Sequence, residues 1–169
     1  NLNVVASLLN LQTNFLTNDV TKKHLTDSKN RVESMALIHE QLYNTEDLSG
    51  VYLDTYLNDL VTQLVHIYDT HTTPVKTILD IPRMHFNLSI AVPLGLIVNE
   101  LIANSLEHGL QEMENGFIHL CLHENSNSFR LEIRDNGRGL PEGFDIDKNE
   151  SLGLLLVSNL AQQIGGSFS

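Results

Sequence analysis

The stretch NELIANSLEHG, residues 99–109, interrupts a long aliphatic run with Glu100, Asn104 and His108. Positions i, i+4 and i+8 of a helix fall in one line, so a carboxylate, an amide and an imidazole share a stripe on an otherwise apolar element. Such groups on a mostly buried helix need partners; a polar face turned to solvent is the plainer alternative. Downstream, SFRLEIRD (128–135) alternates, and Asp135 falls on the same face as Phe129, Leu131 and Ile133. That position predicts a buried carboxylate in need of a hydrogen-bond donor. The ordinary alternative is a turn in which Asp135 bonds its own backbone within DNG. In DNGRGL, Gly137 and Gly139 let backbone approach a flat or phosphorylated ligand closely. In SLGLLLV (151–157), Ser151 and Gly153 open a helix whose free N–H groups can meet an anion. Each element is weak alone. Their order is far more specific: stripe helix, D-x-G-x-G after a strand, polar loop, S-L-G-L on a helix.

The elements that must hold these residues follow from periodicity. Val4, Leu8, Leu11 and Phe15 predict an amphipathic helix over 1–16, and Thr17-Asn18-Asp19 a break with an N-cap. A second helix, 19–44, carries Leu25, Val32, Met35, His39 and Leu42 on a heptad-like seam. A two-helix hairpin buries little area, so pairing with a second copy into a four-helix bundle is expected. TEDLSG (45–50) marks a boundary. Beyond it come a helix with Leu53, Leu57, Leu60, Leu64 and Ile67, and a strand at 75–81. A long helix follows over 88–110 with Pro93 in its first turn, then a hairpin of strands at 116–124 and 128–135. PEGFDIDKNES (141–151) reads as a polar loop, and Leu152–Ile164 as a last helix closed by Gly165-Gly166. The expected fold is α+β: a helical hairpin over 1–46, then over 47–169 an antiparallel-rich sheet with helices on one face.

The chain has 169 residues, 41% of them hydrophobic, enough for a real core. A net charge of −11 argues against nucleic acid or an anionic membrane as partner, but a divalent cation could still offset repulsion around one nucleotide. The single cysteine, Cys121, excludes an internal disulfide and fits a reducing compartment. No run reaches the ~20 apolar residues that span a bilayer; the longest, LSIAVPLGLIV, ends at Asn99 and Glu100. His24, His66, His71, His85, His119 and His123 have no Cys or His at metal-ligand spacing, which argues against zinc. The chain starts without Met inside a helical pattern, as a piece of a longer protein would.

Residues 51–169 resemble the GHKL (Bergerat) ATP-binding domain in its sensor histidine kinase form, an α/β two-layer sandwich. NELIANSLEHG is similar to the N box, DNGRGL to the first glycine box and SLGLLLVSNLAQQIGG to the second. NLNVVASLLNLQ followed by RVESMALIHEQLY resembles the dimerisation hairpin of the subfamily whose first helix begins H-R-x-K-N-N-L. The resemblance implies ATP and Mg2+ as cofactors. It gives Asp135 the adenine amino group as hydrogen-bond donor, with Gly139 leaving room for the base and Gly137 and Arg138 alongside. It makes Asn104 the Mg2+ ligand, Glu100 a general base or water holder, and His108 a phosphate contact. Ser151, Leu152 and Gly153 would present N–H groups to the β- and γ-phosphates, and residues 140–150 would form a lid.

The function so implied is a histidine kinase core, homodimeric through its hairpin and cytoplasmic or on the cytosolic side of a membrane-anchored parent. It would phosphorylate a histidine just upstream of Asn1 for relay to an aspartate of a response-regulator receiver domain. His39, in IHEQL, then belongs to the return helix as a seam residue and not as the acceptor. Two departures stand out. Glu107 occupies a position where related N boxes often carry Lys, and the lid holds Glu142, Asp145, Asp147 and Glu150 against Lys148 alone. Tight dependence on Mg2+ and a mobile lid are expected. The chain also ends at Ser169, where the family usually adds another strand. The alternatives are another GHKL-type ATPase, with Glu100 activating water, and a non-catalytic dimeric scaffold with a degraded nucleotide site.

Overall fold

The structure, a computed structural model, describes residues 2–16, 18–43, 50–68, 74–111, 113–126, 128–140, 143–144 and 152–169. It divides into two compact units, Asn1–Glu46 and Asp47–Ser169.

In the first unit, α1 (Leu2–Phe15) packs against α2 (Asp19–Tyr43). Asn18 starts α2: its side-chain Oδ1 accepts the Thr21 N–H at 3.0 Å, satisfying one of the donors a helix start leaves free. On α1, Ala6 and Thr13 are buried, with Leu2, Leu9 and, just past its end, Leu16 half-buried, and the Thr13 hydroxyl bonds Leu9 O at 2.8 Å; on α2, Ile38 is 1% exposed. The stripe read from the sequence lies elsewhere. Val4, Leu8, Leu11 and Phe15 are 63%, 55%, 56% and 84% exposed, and His39 is exposed beside the buried Ile38. Two helices can bury only one narrow strip against each other, and here it runs through Leu2, Ala6, Leu9, Thr13 and Leu16. Leu42 lies outside the described side chains.

The second unit runs β1 (Val51–Tyr52), α3 (Leu53–Tyr68), β2 (Lys76–Asp80), β3 (His85–Phe86), α4 (Leu88–Asn104), a π-helical turn (Ser105–Gly109), β4 (Phe117–Asn125), β5 (Ser128–Asp135) and α5 (Leu152–Gln163). The fold is α+β, as expected. Its main sheet has the order β2-β4-β5 and is mixed: β2 runs parallel to β4 from Lys76↔Phe117 to Asp80↔Cys121, and β4 antiparallel to β5 from Ile118↔Asp135 to Asn125↔Ser128. The expected antiparallel bias fails at β2 because α4 lies between β2 and β4 in sequence and carries the chain back to the same end. A second small sheet pairs β1 with β3.

The core is aliphatic. Leu53, Leu57, Leu60 and Leu64 of α3 are fully buried, whereas Ile67, expected with them, is 48% exposed at the helix end. Each such leucine contributes roughly 1.5–3 kcal/mol by burial. From β4, Ile118, Leu120 and Leu122 are buried on one face by the two-residue period. Asn87 caps α4, its Oδ1 accepting the Ile90 N–H at 3.2 Å. Pro93 is buried in the second turn of α4 rather than the first, and its ring removes one N–H from the helix ladder. Val157, Leu160 and Ala161 of α5 pack on Ile97 of α4. The last turn of α5 closes as expected: Gly165 takes φ 78°, Gly165 N–H reaches Gln162 O at 3.0 Å and Gly166 N–H reaches Ala161 O at 2.8 Å.

The segment Leu88–Gly109 is long and apolar enough by composition to cross a membrane, contrary to the reading of the run alone, but 56% of its most apolar window is buried within the protein. It is the central helix of this unit.

Candidate nucleotide-binding site

The polar stripe runs from core to surface. Glu100 is 4% exposed, Asn104 half-buried and His108 exposed. It is not one straight α-helical line. After Asn104 the backbone widens into the π turn, and the Leu110 N–H bonds Ser105 O at 2.8 Å, five residues back. The extra residue per turn shifts His108 off the line through Glu100 and Asn104. Glu107, in the same turn, is half-buried.

The π turn brings this helix end against the end of β5. Ser105, 7% exposed, donates its hydroxyl to Asp135 Oδ2 at 2.8 Å, and Gly137 N–H donates to Asp135 Oδ1 at 2.9 Å. Arg138 N–H reaches Gly109 O at 3.0 Å. The contact is tight enough to dictate residue type: a Cβ on Gly137 would lie 2.3 Å from Gly109 O and 2.9 Å from Asp135 Oδ1. Asn136 anchors the same turn to the start of β4, accepting the Phe117 N–H at 2.7 Å and donating to Asn115 O at 3.0 Å. Gly139 takes φ +72°, and among the described residues nothing beyond its chain neighbours lies within 4 Å of the place a Cβ would occupy.

Of the two readings of Asp135, the turn is the one observed: Gly137 N–H bonds Asp135 Oδ1 within DNG, the carboxylate is exposed and not buried, and Ser105 supplies a donor to its other oxygen. The strand ends at Asp135, so alternation no longer places it under the core, and the DNG turn folds back on it through Gly137. The result is a carboxylate fixed from two sides whose remaining lone pairs face outward, able to accept a further donor. Leu152 is 64% exposed and Gly153 buried at the start of α5. Ser151 and the lid residues Pro141, Glu142 and 145–150 lie outside the described residues.

Ser105, Gly109 and Asn136 were not singled out from the sequence. Ser105 and Gly109 sit inside NELIANSLEHG, but the sequence does not say which strand end meets that end of the helix. A hollow of about 550 Å3 in the first unit, lined by Gln12, Phe15, Leu16, Thr21, Leu25 and Ser28, holds none of these residues.

Both units are similar to known proteins. Residues 1–68 match the family model described as histidine kinase, and residues 83–168 that described as histidine kinase-like ATPase domain. The sensor histidine kinase PdtaS of Mycolicibacterium smegmatis is 30% identical over 168 residues, covering 95% of this chain and 32% of the relative. Blue-light-activated histidine kinase 2 of Erythrobacter litoralis is 26% identical over 148 residues, 82% of this chain and 41% of that protein. The chain thus spans about a third of the length of PdtaS. The solved histidine kinase domain from the Erythrobacter litoralis EL346 blue-light activated histidine kinase superposes with a TM-score of 0.71 over 96% of this chain and 86% of that one, at 22% identity, a likeness of fold. With its ATPase-type unit and its preceding helical hairpin both matched, the chain belongs to the sensor histidine kinases.

Proposed function

We propose that this chain binds Mg-ATP at the junction of the π turn, the end of β5 and the start of α5. We further propose that it uses the nucleotide to phosphorylate a histidine imidazole. The observation that carries the reading is Asp135: an exposed carboxylate held by Ser105 and Gly137 beside an open, glycine-lined space. A purine amino group is a neutral, planar donor that suits both features, and the collision-free space at Gly139 suits a flat ring.

Bound Mg-ATP would supply the phosphoryl group, with the cation offsetting phosphate repulsion that a chain of net charge −11 cannot. Asp135 would accept the base's amino group while Ser105 keeps its carboxylate oriented. Asn104, half-buried one turn beyond Glu100, would offer its amide oxygen to the metal. Buried Glu100 would hold a metal-bound water or take the proton of the attacking imidazole. His108, exposed in the π turn, would reach phosphate oxygens, as would the N–H groups of Ser151, Leu152 and Gly153. The chain's part is positioning and electrostatics.

Helix α1 carries no histidine and His39 lies on α2, so the acceptor is proposed upstream of α1, as in the subfamily the hairpin resembles. Dimerisation through the exposed face of α1, a response-regulator aspartate as the next acceptor, and a cytosolic setting complete the proposal. Calorimetric titration with ATP and Mg2+ tests its centre. The chain should bind, and Asp135→Asn, which keeps size but replaces an acceptor oxygen with a donor, should lose at least about tenfold in affinity. Unchanged affinity would remove the nucleotide assignment.

A further inference from the structure

On the face of β4 opposite the core, the two-residue period aligns His119, Cys121 and His123. The antiparallel register sets Glu132 of β5 directly opposite Cys121, so the two side chains share that face. Ligand atoms of Cys121, His123 and Glu132 lie within 4.8 Å of one another. Cys121 Sγ and His123 Nε2 are 3.5 Å apart. A tetrahedral cation with bonds of ~2.3 Å to sulfur and ~2.0 Å to nitrogen separates those two ligands by about 3.5 Å, so this edge is already at bound length.

From this geometry we infer a binding site for a borderline divalent transition cation of the zinc class, ligated by Cys121, His123 and Glu132. The site is separate from the nucleotide residues. Its layering gives an entry path: Cys121 is 6% exposed at the bottom, and Glu132 and the exposed His123 stand on the solvent side. Glu132 is paired with Arg134, whose guanidinium holds the carboxyl below its ordinary range and thus ionised. A carboxylate has two oxygens, so one can ligate while Arg134 orients the other, as partners of metal-bound carboxylates commonly do. His123 offers Nε2 when its proton sits on Nδ1.

Without a cation the Cys121 thiol is held protonated. Burial pushes its pKa up, Glu132 and Asp80 add to that, and Arg134 and Arg130 oppose it. On binding, the thiol proton leaves to water as the sulfur–metal bond forms, so affinity rises with pH. The thiolate, Glu132 and Asp80, which pairs with Cys121 across β2, then face the guanidiniums of Arg130 and Arg134 and the cation together. Three protein ligands leave a fourth position for solvent or an added group. Sequence spacing alone conceals this set, because the ligands come from alternate residues of one strand and a facing residue of the next.

Cobalt(II) titration of the 169-residue chain without nucleotide is the direct test, because with a single cysteine any thiolate-to-cobalt charge-transfer band reports Cys121. The expected result is about one equivalent bound with that band and intense tetrahedral visible bands, both displaced by zinc. Cys121→Ser should abolish the band. His123→Ala, at an exposed position that folding tolerates, should weaken binding at least about tenfold, and Glu132→Gln likewise. Absence of the charge-transfer band in folded chain, or zinc affinity untouched by His123→Ala and Glu132→Gln, would overturn the site.

Discussion

Two glycines of the DNGRGL turn are required for different reasons, and the difference is measurable. At Gly137 a methyl group collides with backbone, 2.3 Å from Gly109 O, and neither segment can yield without parting the π turn from β5. Gly137→Ala should cost about 1–3 kcal/mol of stability and abolish nucleotide binding, because Asp135 moves with the turn. At Gly139 nothing among the described residues lies near, and the left-handed φ of +72° is what resists a side chain. Gly139→Ala should cost roughly 1–2 kcal/mol and leave the Ser105–Asp135 bond in place. Thermal unfolding read beside ATP titration separates the two, and equal effects would contradict the contact map of this turn. The Asp135–Gly137 bond was legible as the ordinary DNG turn, whereas Ser105 as the second donor was not, because a hydrophobic pattern carries no signal for which helix end meets which strand end.

At the scale of elements, α3 and α4 meet where Tyr56 lies over Gly95: a Cβ there would come within 1.8 Å of the Tyr56 hydroxyl. That hydroxyl is buried and has no hydrogen-bond partner among the described residues, and burial drives its pKa well above the ordinary phenol value. Desolvating a hydroxyl without a partner is unfavourable, so Tyr56→Phe should hold or raise stability, by up to about 1–3 kcal/mol. Gly95→Ala should lower it by a comparable amount or more through overpacking. Chemical denaturation of both variants checks the pair; a clear loss in Tyr56→Phe would mean the hydroxyl has a partner that matters. The leucine periodicity of α3 and the alternation of β4 and β5 made these elements readable, since each has one plain apolar face. The direction of β2 and the inner face of α1 were not readable. Sheet order is decided by a crossover, and α1 has two apolar faces that could pack, one through Leu2, Ala6, Leu9 and Leu16 and one through Val4, Leu8, Leu11 and Phe15.

For the whole molecule, the outer face of α1 is an exposed apolar surface among the described residues. Val4, Leu8, Leu11 and Phe15 form a row at helical spacing, each more than half exposed in one copy of the chain. An apolar row of this kind on a hairpin is what a second hairpin covers in a four-helix bundle. Replacing Leu8 and Leu11 together by Glu should turn a dimer into a monomer in light scattering while leaving the circular dichroism of the chain largely intact. A wild-type chain that is monomeric at high concentration would refute the bundle. The ATPase-type unit holds a core of its own, so the double variant should still titrate with ATP.

The parallel pairing of β2 with β4 has a kinetic corollary. Lys76 and Phe117 become neighbours only after the intervening chain, α4 included, has doubled back. Closing a loop of that length must precede any reward from the ladder, whereas the β4–β5 hairpin zips locally through Asn125 and Ser128. Amides of the hairpin should therefore gain protection from deuterium first during refolding, and those of β2 only when the entire sheet is in place.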